Sequence, residues 1–159
     1  MQQFVHLHVH TQYSILDGQA SIQKLVDKAM ADGMPGIAVT DHGDMFGIKE
    51  FYNYVKKVKG KYKGQAAECE ARLAALRSGE EQCADPAAEI AAAEQKLAEL
   101  RRKADFKPII GCEVYVARRR LQDKEGKPDQ SGYHLILLAK NLTGYHNLIK
   151  IVSKAWTDG

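Results

Sequence analysis

Three histidines recur at alternate positions near the start of the chain, in Phe4-Val5-His6-Leu7-His8-Val9-His10. Phe4 to Val9 alternates and is rich in β-forming residues, which predicts a strand. Alternate side chains on a strand share one face, with about 7 Å between their Cα atoms. Three imidazoles on one face make a poor core, because each is hard to bury unpaired. Two readings stay open: an exposed edge with solvated rings, or a metal site, since neutral imidazole is a common ligand for zinc and similar ions.

Val39-Thr40-Asp41-His42 places a carboxylate and an imidazole directly after a second apolar strand. Ligand sites in α/β folds gather at the carboxyl ends of strands. Asp17 follows the first expected strand and His42 the second, so both are placed to meet His8 and His10. The alternative for Asp41-His42 is a turn with a surface histidine. Glu113, in Gly111-Cys112-Glu113, sits inside an apolar strand and needs a partner if buried. A metal, a buried arginine or an edge position would each satisfy it. Cys112 should point to the opposite face and is read as structural. His134, beside Leu135-Ile136-Leu137-Leu138, reads on its own as a strand-end histidine, and His146 as a surface or capping residue.

The elements that position these groups alternate. A helix is expected from the Ser21 cap through Ile22, Leu25, Val26, Ala29 and Met30 to Gly33, then a strand over Gly36 to Thr40, then a helix from about Gly47 to Lys59. Residues 64–105 change character, being rich in Ala, Glu, Lys and Arg. Leu73 and Leu76, then Ile90, Ala93, Leu97 and Leu100, recur at helical spacing around Ser78-Gly79 and Asp85-Pro86, a stop and a start. This predicts an inserted antiparallel helical hairpin with a narrow apolar seam. Strands over Pro108 to Ala117 and Tyr133 to Ala139 flank a basic loop containing Gly126, Pro128 and Gly132, and a last helix runs through Leu148, Ile151, Val152 and Ala155. The class is α/β with a largely parallel sheet.

With 159 residues and 45% hydrophobic content, the chain suits one globular domain. No apolar run approaches the ~20 residues of a membrane span, and Met1 to His6 lacks the pattern of a secretory signal, so a cytoplasmic protein is expected. Cys69, Cys83 and Cys112 form no Cys-x-x-Cys pair and are expected to be reduced thiols. A net charge of +3 does not by itself announce nucleic-acid binding, and the acidic excess lies in residues 64–105. Lys56, Lys57 and Arg118, Arg119 and Arg120 are candidate sequence-independent phosphate contacts, against the reading that they are solvated charges.

In combination, His8-Val9-His10-Thr11, Asp17-Gly18, Thr40-Asp41-His42-Gly43, Gly111-Cys112-Glu113-Val114-Tyr115-Val116 and Tyr133-His134-Leu135-Ile136-Leu137-Leu138-Ala139-Lys140-Asn141 resemble the opening motifs of the PHP (polymerase and histidinol phosphatase) family. The strings from His6 to Gly18 and from Leu142 to Leu148 are similar to the branch carried at the N-terminus of bacterial replicative polymerase alpha subunits. The resemblance covers the chain outside about residues 64–105. It implies a distorted (β/α)7 barrel holding up to three divalent metals, zinc first, with manganese, iron or magnesium as alternatives.

Carried over by position, His8, His10, Asp17, His42, Glu113 and His134 would be ligands. Asp17, Asp41 and His42 would serve catalysis, with Asp41 near the metals and His6 a possible further group where many relatives have Asp. The implied activity is metal-dependent phosphoester hydrolysis, a 3′–5′ proofreading exonuclease on the 3′ end of DNA. The implied setting is a DNA-directed DNA polymerase with other replicase subunits as partners. The competing readings are a metal-stabilised structural module that docks polymerase or proofreading partners, and a free-standing phosphatase of the histidinol phosphatase type. The later metal motifs of the family are not found, so residues 1–159 are expected to be the N-terminal portion of a truncated PHP domain. Such a portion would be inactive in isolation and prone to self-association through uncovered strand edges.

Overall fold

The computed structural model describes residues 4–127 and 132–159; Pro128, in the expected basic loop, lies outside them. The element order is α1 (Ile22–Ala31), β1 (Gly36–Val39), α2 (Ile48–Ser78), α3 (Pro86–Ala104), β2 (Lys107–Val116), β3 (Tyr133–Leu138) and α4 (Leu142–Asp158). The Ser21 hydroxyl caps α1 by accepting from Lys24 N, and Asp85 with Pro86 starts α3. One face of α1, carrying Ile22, Val26, Ala29 and Met30, meets Ile37 and Val39 of β1 and Phe51 and Val55 of α2 in the main core, which Phe106, just before β2, closes.

The sheet has the order β1-β2-β3. It is mixed rather than largely parallel: β1 runs parallel to β2, from Gly36 opposite Lys107 to Val39 opposite Ile110, while β2 and β3 are antiparallel. The α2–α3 excursion supplies the long crossover that a parallel pair needs. A loop that returns directly from β2 to β3 makes an antiparallel neighbour instead. Gly111 stands where β2 changes partner. A Cβ there would come within 2.6 Å of Leu137 O and 2.8 Å of the Thr40 methyl, so no larger residue fits without a shift.

Two further expectations need correction. Phe4 to Val9 is not a regular strand. It follows β1 through bonds from Ala38 N to His6 O (2.9 Å) and Thr40 N to Val9 O (2.9 Å). Two steps on β1 therefore match three steps on the first segment, and the surplus residue bends the chain at Leu7-His8 as a bulge does.

The second helix does not stop near Lys59. It continues unbroken to Ser78, taking in half of the expected hairpin. Gly60 and Gly64 each disfavour helix by about 1 kcal/mol. Packing on both sides of them offsets this: Phe51 and Val55 lie in the main core, and Ala66, Cys69, Leu73 and Leu76 form a second seam with Ala93, Leu97 and Leu100 of α3. Arg72 with Glu81 and Glu89, Arg77 with Glu94, and Arg101 with Glu70 line the flanks of that seam. No helix of the described residues is long and apolar enough to cross a membrane.

Candidate metal centre

Backbone pairing brings the His42 and Glu113 segments together. Beyond β1 the parallel ladder resumes for one bridge between His42 and Glu113, with Glu113 N donating to Asp41 O (3.0 Å) and Gly43 N donating to Glu113 O (2.8 Å). Gly43 has φ +62°, a left-handed conformation that glycine adopts without strain and that turns the chain away immediately after His42.

Glu113 is 1% exposed and lies at the centre of four imidazoles. Its Oε2 is 2.5 Å from His8 Nε2 and 3.1 Å from His10 Nε2, and its Oε1 is 3.1 Å from His42 Nδ1 and 2.7 Å from His134 Nδ1. Asp17 closes the other side, with Oδ2 2.8 Å from His42 Nε2 and Oδ1 3.6 Å from His10 Nδ1. Six side chains from four segments thus converge at the carboxyl side of β1.

The bend that breaks the first strand allows this convergence. His8 and His10 approach to 2.9 Å between their Nε2 atoms, far closer than the Cα spacing of a straight strand, so that both reach one carboxylate oxygen. His6 does not join them. Its ring packs edge-on against Phe4 with centroids 4.7 Å apart.

The carboxylates and imidazoles shift one another. Burial pushes the Glu113 carboxyl up, but the His8 hydrogen bond and the charges of His42 and His134 outweigh it, leaving it below the usual carboxylate value. The His42 hydrogen bond holds Asp17 below its ordinary value. Burial alone would depress His42, yet Asp17 and Glu113 raise it above the usual imidazole value.

Asp41 is not part of the cluster. Its carboxylate is buried and faces the loop after His10, accepting from Thr11 N (2.6 Å), Thr11 Oγ1 (2.8 Å) and Ser14 Oγ (2.7 Å). Both Asp41 oxygens are thus engaged by the loop that carries His10. Ser14 also accepts from His42 N (3.2 Å), so one small network ties the His10 loop to the His42 loop.

Tyr115 is a site residue that the sequence motifs do not single out. Its hydroxyl lies 2.9 Å from His42 Nδ1 and its ring is edge-on to His134 at 4.8 Å. Burial and the nearby Glu113 and Asp17 charges raise its hydroxyl above the ordinary phenol value, which keeps it protonated. The spacing carries a signal for it, because residues i and i+2 of a strand share a face and Glu113 precedes Tyr115 by two. Trp156, whose Nε1 donates to Gly43 O (2.8 Å), has no such signal. Cys112 points away, as expected, into a small cluster with Leu148 and Val152. His146 is exposed on α4 beside Tyr145.

The donor set fits cations. His8, His10 and Glu113 form one group, and His10, Asp17 and His42 another, each offering ligand atoms within 4.8 Å of one another. Glu113 Oε1 is buried without a hydrogen bond although two ring nitrogens stand beside it. Those nitrogens are charge partners for the oxygen only when their rings are protonated, and a cation would satisfy it with neutral rings. His134 touches Glu113 but belongs to neither group.

Among known families, the PHP domain matches residues 6–159. The chain belongs to the PHP domain family. This PHP chain is also similar to DNA polymerase III subunit alpha of Treponema pallidum (38% identical over 157 residues) and of Borreliella burgdorferi (36% over 160). Its identity to the same subunit of Thermus aquaticus is 35% over 160 residues. Each alignment takes in 98% of this chain, which spans about a tenth of the length of these relatives. The PHP match includes the segments that carry all six converging side chains.

The basic candidates divide. Arg120 pairs with Asp123 at 2.9 Å, Arg119 lies 3.5 Å from Glu125, and Arg118 lies over the Tyr133 ring at 5.3 Å. All three are thus engaged within their own region. Lys56 and Lys57 are exposed on α2.

Proposed function

We propose that this PHP domain is a metal-dependent phosphoesterase acting on the 3′ end of DNA, a proofreading 3′–5′ exonuclease module of a bacterial replicative polymerase. The observation that carries this is the buried Glu113 carboxylate amid His8, His10, His42 and His134, with one oxygen lacking a hydrogen bond. His8, His10 and Glu113 would hold one cation and His10, Asp17 and His42 a second, with His134 at the margin. Bound metals there supply Lewis acidity toward a phosphoryl oxygen and a water acidified toward neutral pH. Imidazole with carboxylate suits zinc first, and manganese or iron as well. The residues orient one another: Asp17 and Tyr115 grip the two nitrogens of His42, and the Asp41 network holds the loops from which His10 and His42 project. The three strands are read as part of a distorted (β/α)7 barrel, in a cytoplasmic protein with replicase subunits as partners.

Exonuclease assays on the full-length protein, with and without His8→Ala and His10→Ala, test the proposal. A fall of about a hundredfold or more is expected in both variants, whereas equal rates would remove the hydrolytic reading. A second reading, a metal that only braces the domain, is favoured by one observation: the cluster fastens the irregular first segment to β2. It predicts that chelation lowers the melting temperature while the variants leave exonuclease rates unchanged.

A further inference from the structure

Helix α2 carries a second feature, on a face beside the one it turns to the main core. Lys49, Tyr52, Lys56, Lys59 and Lys63 follow one another at steps of three, four, three and four, the spacing that keeps side chains in one stripe of an α-helix. Phe51 and Val55 face the core, while Tyr52 remains 49% exposed. At 1.5 Å per residue the stripe runs about 21 Å along the helix. Lys57 and Lys61, one turn apart, lie on another face of the helix.

Two observations separate this stripe from an ordinary solvated face. Residues 51–67 contain no Asp or Glu. None of these lysines forms an ion pair among the described residues, whereas farther along the hairpin Arg72, Arg77, Arg101 and Lys103 are each matched to a glutamate. One helix is thus neutralised over its outer half and left cationic over the inner half, next to the loop that delivers His42. An interleaved aromatic adds a surface on which a base can stack, the combination that tracks a single nucleic-acid strand.

We infer that the Lys49-Tyr52-Lys56-Lys59-Lys63 stripe is a binding track for the backbone of single-stranded DNA, leading toward the metal centre. This deepens the proposed function and rests on DNA being the substrate. The lysines act as non-specific phosphate anchors and Tyr52 as a stacking surface.

The test measures binding of a labelled single-stranded oligonucleotide to the chain by fluorescence anisotropy over a range of salt. The fourfold variant Lys49→Gln, Lys56→Gln, Lys59→Gln, Lys63→Gln is compared with wild type and with the corresponding lysine-to-arginine variant. Each of the four phosphate contacts contributes about 0.7 to the slope of log affinity against log salt. Wild type should therefore weaken roughly fiftyfold more than the glutamine variant between about 50 and 200 mM salt. The arginine variant should behave as wild type, and Tyr52→Ala should weaken binding without changing the slope.

Equal slopes in wild type and the glutamine variant, with far-UV circular dichroism unchanged, overturn the track. So does polyglutamate competing as well as DNA at equal charge, which would mark a surface for acidic proteins. Should the glutamine variant lose its helix, Lys56→Glu and Lys59→Glu made singly must each lower the affinity, or the idea fails. His8→Ala should leave this binding intact, so loss of hydrolysis and loss of the track are read separately.

Discussion

Glu113 and His42 are joined twice, once by a backbone bridge that sets their Cα atoms opposite each other and once by a 3.1 Å approach of His42 Nδ1 to Glu113 Oε1. The ladder thus fixes the relative position of a carboxylate and an imidazole 71 residues apart before either side chain chooses a rotamer.

Glu113→Gln keeps the shape of the side chain and removes its charge from the middle of four imidazoles. Loss of outer partners costs a metal site tenfold to a hundredfold in affinity, and loss of this central carboxylate should cost at least about a hundredfold. Competition against a zinc-sensitive dye measures it. Affinity within threefold of wild type would show that Glu113 does not hold the metal.

Asp41→Ala should act on stability first. It leaves Thr11 N, Thr11 Oγ1 and Ser14 Oγ buried without their acceptor. A destabilisation of about 3 kcal/mol in urea unfolding is expected from groups stranded in this way. Metal affinity should fall as a consequence, because the His10 and His42 loops lose their common tie.

The Asp17–His42 pair gives the metal-free protein a pH signature. Asp17 is depressed, so its contribution is complete above the ordinary carboxylate value of 3.8 and disappears as pH falls through its lower folded value. His42 is raised, so its contribution is complete below the ordinary imidazole value of 6.5 and disappears as pH rises through its higher folded value. The stability difference between wild type and Asp17→Asn should therefore form a plateau between 3.8 and 6.5 and shrink on both sides. A difference that stays flat across that range and beyond contradicts the pairing. Metal binding runs the other way on the acid side, because imidazoles must shed protons to ligate.

Thiol chemistry reports on the packing. Burial pushes the Cys112 thiol up to about 12, while Cys83 is partly exposed. Iodoacetamide at neutral pH should label Cys83 in the native chain and reach Cys112 and Cys69 only on unfolding, as peptide mass spectrometry would show.

Leu97→Ala opens the α2–α3 seam, at about 2–3 kcal/mol for a buried leucine. Because that seam is separate from the main core, hydrogen exchange should accelerate in residues 64–104 while α1 and β1 keep their protection. Uniform acceleration would show one cooperative unit instead.

Much of the centre was legible because polar groups set in apolar strands are chemically conspicuous. Imidazoles and a carboxylate in apolar strands gain little from packing, so their presence points to coordination, and His8, His10, Asp17, His42, Glu113 and His134 do converge. Helix caps such as Ser21 and Asp85 were equally plain, since their chemistry is local. What escaped depended on tertiary pairing. The bend between His6 and Val9 arises from a register mismatch with β1, and no alternation within the segment reveals it. The continuity of α2 through Gly60 and Gly64 needs the packing of α3. The antiparallel β3 reflects a direct return that strand composition does not encode. The bonds from Thr11 and Ser14 to the Asp41 carboxylate likewise follow from how the His10 loop folds back, which the residues beside Asp41 do not reveal.

The unbroken run of α2 from Ile48 to Ser78 has a mechanical consequence. At 1.5 Å per residue it is a rod about 46 Å long, rooted beside the loop that bears His42 and stiffened along its outer half by α3. Gly79 and its neighbours are thereby held out at a fixed reach from the His42 turn, as a mast holds its head above the deck, with Phe51 and Val55 stepping its foot in the main core.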